Sequence, residues 1–137
     1  MGLIHLDAGV IIGFLDGDDS HHDTARDALS NALDHGDRLS IAASALAECL
    51  VGPARRSPRA IELVRTVIDR VPVSIVDLDA EIATQAAVLR ARHRTLKLPD
   101  ALVIATAAIS GADQLITTDR KWPTAKVMKV TVVIKQI

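Results

Sequence analysis

The chain has 137 residues, of which 49% are hydrophobic and 24% charged, with a formal net charge of −1; this is the composition of a globular protein, and a chain of this length buries roughly 70% of its unfolded surface. The longest apolar stretch, residues 101–109, is about half a membrane span, and the start MGLIHLD has no basic leader and is interrupted by Asp7, so neither a membrane segment nor a secretory signal is expected. Cys49 is the single cysteine, which rules out an internal disulfide and fits a reducing, cytoplasmic setting.

Leu3–Leu6 is a short apolar run ending at Asp7 and predicts a first strand, followed by a short helix over about Val10–Leu15 and the turn-rich loop DGDDS. Ser20 and Asp23 have capping-box spacing for a helix over 21–35, which HGDR breaks. Leu39–Ala43 predicts a second buried strand, and Ser44 an N-cap for a helix through about Val51 that Gly52 and Pro53 close. Ser57 and Pro58 open another helix, with Ile61, Leu63, Val64, Val67 and Ile68 as its apolar positions. Arg65 and Asp69, at i and i+4, read as a surface ion pair on it.

Val73–Val76 predicts a third strand, and Asp79 caps a helix reaching about Arg94. KLPDALVIATA then starts a helix at Pro99 that is apolar on nearly every side and ends near Gly111. Leu115–Thr117 and Val130–Ile134 predict strands four and five. Strands alternating with helices imply a parallel sheet covered on both faces. No repeat, linker or low-complexity segment divides residues 1–137, so one α/β domain is expected.

The small net charge hides an asymmetry: residues 1–50 hold nine acids and two arginines, and residues 51–137 hold fourteen bases and eight acids. Basic clusters occur at Arg55, Arg56 and Arg59, at Arg90 to Lys97, and at Arg120 and Lys121. Each is consistent with a solvated helix face, and Arg120 and Lys121, beside Asp119, are the best placed to hold phosphate. Phe14 and Trp122 are the only Phe, Tyr or Trp residues, so a base-stacking platform is not expected.

In open α/β sheets, ligands sit beyond the carboxyl ends of the strands. Asp7 follows strand one, Glu48 lies one helical turn beyond Ser44, Asp119 follows strand four, and Asp100 opens the apolar helix. Each has an ordinary structural explanation as a cap, loop or first-turn acid. Together they form a set that can converge, and converging carboxylates repel unless protons or a cation neutralise them. A hard divalent ion is the natural solution, and one or two such ions assist in-line displacement at a phosphodiester.

IHLDAGVII, SALAECL, LPDALVIATA and LITTDRKW, in this order and spacing, resemble the acidic blocks of the PIN-domain family, and more narrowly its VapC-type toxins. DDSHHDTA is similar to that subgroup as well. The resemblance spans essentially the whole chain. It implies a three-layer α/β/α sandwich with a central, mainly parallel five-stranded sheet. It also implies Mg²⁺- or Mn²⁺-dependent endoribonuclease activity leaving 5′-phosphate and 3′-hydroxyl ends, a cognate antitoxin protein that blocks the site, and a homodimer. Asp7, Glu48, Asp100 and Asp119 match the acidic quartet, Asp7 and Asp100 match the usual metal ligands, and Thr117 matches a supporting polar residue. Gly9 departs from the pattern, standing where relatives usually carry Ser, Thr or Asn.

Two other readings compete. An aspartyl-nucleophile phosphatase or phosphotransfer domain would use Asp7, but Gly9 occupies the place where that motif needs a second aspartate. A non-catalytic PIN-like binding module would keep the fold without the chemistry. His21 and His22 lack partners for a zinc site, and Asp16, Asp18 and Asp19 lack a calcium-loop pattern. Cys49 reads as a small buried residue, and Trp122 as packing for the last acidic loop.

Overall fold

The computed structural model describes residues 1–137. Its elements are β1 (Leu3–Leu6), α1 (Ala8–Leu15), α2 (His22–Asp34), β2 (Arg38–Ala42), α3 (Ala43–Arg56), α4 (Pro58–Arg70), β3 (Val73–Val76), α5 (Ala80–Arg92), α6 (Leu98–Ile109), β4 (Gln114–Thr117), α7 (Ala125–Met128) and β5 (Val133–Gln136). The five strands form one sheet in the order β3-β2-β1-β4-β5, and every neighbouring pair is parallel.

Right-handed crossovers send the chain from β1 through β2 to β3 over one face, and from β3 back to β4 and β5 over the other. The helices pack accordingly: α1 with α2 and α3, and α3 with α4, on one side; α5 with α6 on the other. The parallel sheet covered on both faces, expected from the alternating pattern, is therefore the fold observed. No helix is long and apolar enough to cross a membrane.

β1 lies at the centre of the sheet, and its interior is closed to water. Leu6 is fully buried, and His5 beside it is buried with its Nδ1 2.8 Å from Ser40 Oγ of β2. Burial alone pushes the His5 pKa down to about 4, so this imidazole stays neutral at physiological pH. α6 is the most buried helix: Ala101, Val103, Ile104, Ala105, Thr106 and Ala107 are all inside. Thr106 is tolerated there because its hydroxyl donates to Leu102 O of the preceding turn at 2.6 Å. The helix stops where Gly111 turns left-handed, with φ of 71°.

Several local expectations need correction. The Ser20–Asp23 capping box does not form; His21 is the N-cap of α2 with no side-chain cap bond, and Asp19 Oδ1 instead accepts from His21 N. Neither Gly52 nor Pro53 ends α3, which begins at Ala43 and runs through both to Arg56. Pro53 is buried there, so packing outweighs the missing hydrogen bond. Pro99 takes the second helical position, because Leu98 is already helical. The fifth strand is Val133–Gln136, later than the apolar run Val130–Ile134, because Thr124 caps the unforeseen α7 and Lys129 closes it in a left-handed conformation. Arg65 and Asp69 do not pair; the ion pair on α4 is Arg59–Glu62 at 3.5 Å.

By contrast, the Ser57 and Asp79 caps form as expected. Their side chains accept from Ala60 N at 3.1 Å and Ile82 N at 2.9 Å. Each such cap contributes about 1 kcal/mol.

Candidate active site

The direction of the crossovers reverses between β1 and β4, so their carboxyl ends open a crevice at the edge of the sheet. Asp7 leaves β1 at this point. Its backbone N–H still bonds to Ile116 O of β4 at 2.9 Å, which holds it at the sheet edge while its side chain caps α1. Asp7 Oδ1 accepts from Ala8 N at 2.8 Å, and Oδ2 accepts from Thr117 Oγ1 at 2.7 Å.

Thr117 is fully buried at the end of β4, and its hydroxyl also accepts from Asp119 N at 3.0 Å. One hydroxyl thus ties the first acidic residue to the backbone of the last. Asp119 Oδ1 in turn accepts from Lys121 N at 2.7 Å, folding the loop after β4 back on itself. Asp100 stands half-buried in the first turn of α6, and α6 packs against both β2 and β4.

These carboxyl groups interact. Burial pushes the Asp7 pKa up, and the charge on Asp119 adds to the rise, against the hydrogen bonds from Thr117 and Ala8. Burial also raises Asp100, with Asp7 and Asp119 adding to it, against the opposing effects of Trp122 and Lys97. Glu48 rises through desolvation first, then through Asp7 and Asp100. Glu48 is nevertheless exposed overall, so water screens its interactions. A cluster in which each acid makes its neighbour harder to ionise is a place where positive charge is stabilised.

The four acids do not face a single cavity. Asp100 and Asp119 line an open pocket of about 550 Å³ together with Arg120, Lys121 and Trp122; His21, Thr95, Lys97 and Thr118 complete its wall. Glu48 lies at the edge of a second concavity of about 560 Å³ between α1, α3 and α4. Asp7, 8% exposed, is coupled to acids on both sides. No three carboxylate, histidine or cysteine groups close into a complete metal cage. This donor set fits Mg²⁺, which takes one or two carboxylates directly and keeps several waters.

Neither Thr95 nor Thr118 is expected at the site from the sequence, which offers His21 only as a metal ligand without partners and Lys97 only as part of a basic cluster. Lys97 and Thr95 lie just before α6, and His21 comes from the loop between α1 and α2, so no periodicity links them. Thr118 carried a signal through Gly9. A Cβ on Gly9 would collide with Thr118 Oγ1, so the hydroxyl missing at position 9 is replaced in space by that of Thr118. Gly9→Ala is therefore expected to force Thr118 out of its rotamer and destabilise the fold by about 1 kcal/mol. In a Thr118→Ala background the same change should cost nothing. Denaturant unfolding of the two single variants and the double variant measures this coupling; a zero coupling energy between the two positions would dismiss the contact.

Cys49 is buried, and desolvation with the charges of Glu48 and Asp7 pushes its thiol up to about 12, so it is no nucleophile. Trp122 is buried as packing for the acidic loop, and its indole nitrogen has no hydrogen-bond partner.

The sequence profile of the PIN domain matches residues 4–127. No curated protein matches the sequence. Among solved structures, VapBC2 of Rickettsia felis bound to a promoter DNA fragment is similar, with a TM-score of 0.73 at 17% identity over 98% of both chains. A toxin–antitoxin complex from Klebsiella pneumoniae gives 0.68 at 24% identity, over 86% of this chain and 88% of that one. The sarcin–ricin-loop-cleaving toxin VapC20 of Mycobacterium tuberculosis gives 0.69 at 19% identity, over 86% and 91%. These likenesses are of fold, whereas the profile covers nearly the whole chain, including all four acids and Thr117. The chain belongs to the PIN domain family.

Proposed function

We propose that residues 1–137 form one nuclease domain, a divalent-metal-dependent endoribonuclease that serves as the toxin of a cytoplasmic toxin–antitoxin pair. The observation that carries this reading is the Thr117 hydroxyl at the β1–β4 crevice, which donates to Asp7 and accepts from the backbone of Asp119, the acid that shares its pocket with Asp100. PIN domain nucleases generally depend on a divalent metal. Asp7 and Asp100 are the proposed direct ligands of Mg²⁺ or Mn²⁺, with Asp119 and Glu48 holding its waters.

Such an ion supplies charge neutralisation at the phosphodiester and acidifies water for attack. The protein's own groups do the rest. Thr117 fixes the Asp7 carboxylate, Asp100 is aimed from a rigid buried helix, and Arg120, Lys121 and Lys97 draw the RNA backbone to the pocket. The family membership and the likeness to VapC20, a toxin that cleaves the sarcin–ricin loop, support RNA as the substrate.

The phosphatase alternative is disfavoured by geometry. Gly9, where that motif needs a second aspartate, sits in α1 with Thr118 filling the space beside it, so no second carboxylate stands next to Asp7. The inactive-module alternative is disfavoured by the coupled acids, since a binding surface has no need of mutually repelling carboxylates.

The groove between α1, α3 and α4 is the proposed seat of the antitoxin. Its wall includes Ile12, Leu15, Pro53, Leu63, Val64 and Val67, with Glu48 at its edge, so a bound segment reaches the active site. On the apolar face of α4, Leu63 is 52% exposed, Ile61, Val64 and Val67 are half-buried, and Ile68 is buried. The similar complexes from Klebsiella pneumoniae and Rickettsia felis support a partner of this kind. Leu63→Asp should weaken antitoxin binding by at least ~10-fold and leave RNA cleavage intact, as titration calorimetry and a cleavage assay would show. A homodimer is part of the same proposal, and light scattering reads it out.

The central test uses protein freed of its partner. It should cut structured RNA with Mg²⁺ or Mn²⁺, leave 5′-phosphate ends, and stop on chelation. Release of phosphate from small monoesters without RNA cleavage would favour the phosphatase instead.

A further inference from the structure

Trp122 offers an observation that packing does not explain. The residue is 8% exposed, and its Nε1 is buried with no hydrogen-bond partner. An orphaned buried N–H is costly, and indole nitrogens usually find an acceptor. The ring lines the same pocket as Asp100 and Asp119. Of these two acids, Asp119 already accepts Lys121 N through Oδ1 and has its own N–H on Thr117. The Asp100 carboxylate accepts no hydrogen bond from the protein and stands on the same pocket wall as the indole.

We propose that the Trp122 indole N–H is the donor that fixes the Asp100 carboxylate for the divalent ion. The inference rests on the metal-dependent reading given above and deepens it. Asp7 is already held on both oxygens, by Ala8 N and by Thr117. Asp100 needs a matching partner, because α6 fixes its Cα but leaves the carboxylate free to rotate. A carboxylate whose second oxygen accepts a hydrogen bond presents the first to the ion at lower entropic cost, and such outer partners change metal affinity by about 10–100-fold. Trp122 is thus a positioning residue, acting through Asp100.

The sequence makes the proposal directly measurable. Trp122 is the single tryptophan and there is no tyrosine, so emission excited at long wavelength comes from this indole alone. Mg²⁺ alone, titrated into the wild-type protein, is expected to change that emission saturably, and Asp100→Asn should abolish the change. Trp122→Phe keeps the ring's bulk and removes the donor. It should raise the Mg²⁺ Kd by about 10-fold, measured by calorimetry or by the dependence of Tm on Mg²⁺, with kcat on RNA falling at fixed subsaturating Mg²⁺ and recovering at high Mg²⁺. A merely structural role would lower Tm equally in chelator and in Mg²⁺, with Kd unchanged, and that result overturns the inference. So does a silent wild-type emission in the presence of calorimetric Mg²⁺ binding, or a Trp122→Phe variant whose defect lies in RNA KM alone. If the wild type fails to bind Mg²⁺, the metal-dependent reading falls and this inference with it; wild-type binding with an unchanged variant Kd removes the inference alone.

Discussion

Asp7→Asn and Asp100→Asn should each lower RNA cleavage by at least ~10²-fold while the protein stays folded, the scale expected when one charged group is lost from a transition-state site. The two variants differ in what else they disturb. Asn at position 7 keeps an acceptor for Ala8 N, but its amide faces the Thr117 hydroxyl and reverses that hydrogen bond. Asn at position 100 keeps an oxygen to accept the Trp122 indole N–H and removes a charge that its neighbours oppose. Asp100→Asn should therefore raise the Tm of the metal-free protein modestly while it abolishes cleavage. Gel assays of a defined RNA and thermal melts in chelator measure both effects. Full cleavage by both variants would remove the acids from the chemistry, and normal RNA binding without cutting would place them in catalysis instead of affinity.

Mg²⁺ is expected to stabilise the protein strongly at neutral pH and weakly in acid. At a concentration about 100 times its Kd, a ligand of the folded state contributes roughly 2.7 kcal/mol, or about 10 °C in a chain of this size. The pH dependence follows from the direction of the shifts. Asp7 and Asp100 have folded pKa values raised above the ordinary 3.8, and Glu48 above 4.5. Between the ordinary and the raised values the folded state binds more protons than the unfolded one. Each acid therefore favours the metal-free fold most below about pH 4, and that contribution is lost as pH rises through its folded pKa.

His5 works in the opposite sense. Its folded pKa of about 4 lies below the ordinary 6.5, so its contribution is full above 6.5 and is lost as pH falls toward 4. Subtracting the melting curve of Asp100→Asn from that of the wild type cancels His5 and isolates the acidic cluster. The difference should grow with pH in chelator and shrink or reverse in Mg²⁺. A Mg²⁺ increment as large at pH 4.5 as at pH 7.5 would rule out the acids as its site.

Local elements were largely legible because their causes are local. Four of the five strands sit where apolar runs lie between turn signals, and the Ser57 and Asp79 caps formed because a cap needs a side chain and an amide three residues on. The misreadings mark places where tertiary contacts overrode local preference. Pro53 stays within α3 because its ring is buried against the groove, and the fifth strand shifted because Thr124 and Lys129 found a short helix first.

The sequence by itself determined the alternation of elements, hence the parallel sheet, and put acids at strand ends and helix starts, where an α/β fold must expose them. Tertiary structure alone decided how those acids relate. It joined Asp7 to Asp119 through Thr117, divided the set between two concavities, brought Lys97 and His21 to the pocket wall, and filled the space beside Gly9 with Thr118. The physical reason is range. A cap or a strand depends on a few neighbouring residues, whereas Asp7 and Thr117, 110 positions apart, meet because β1 and β4 pair across a sheet that the whole chain must first complete.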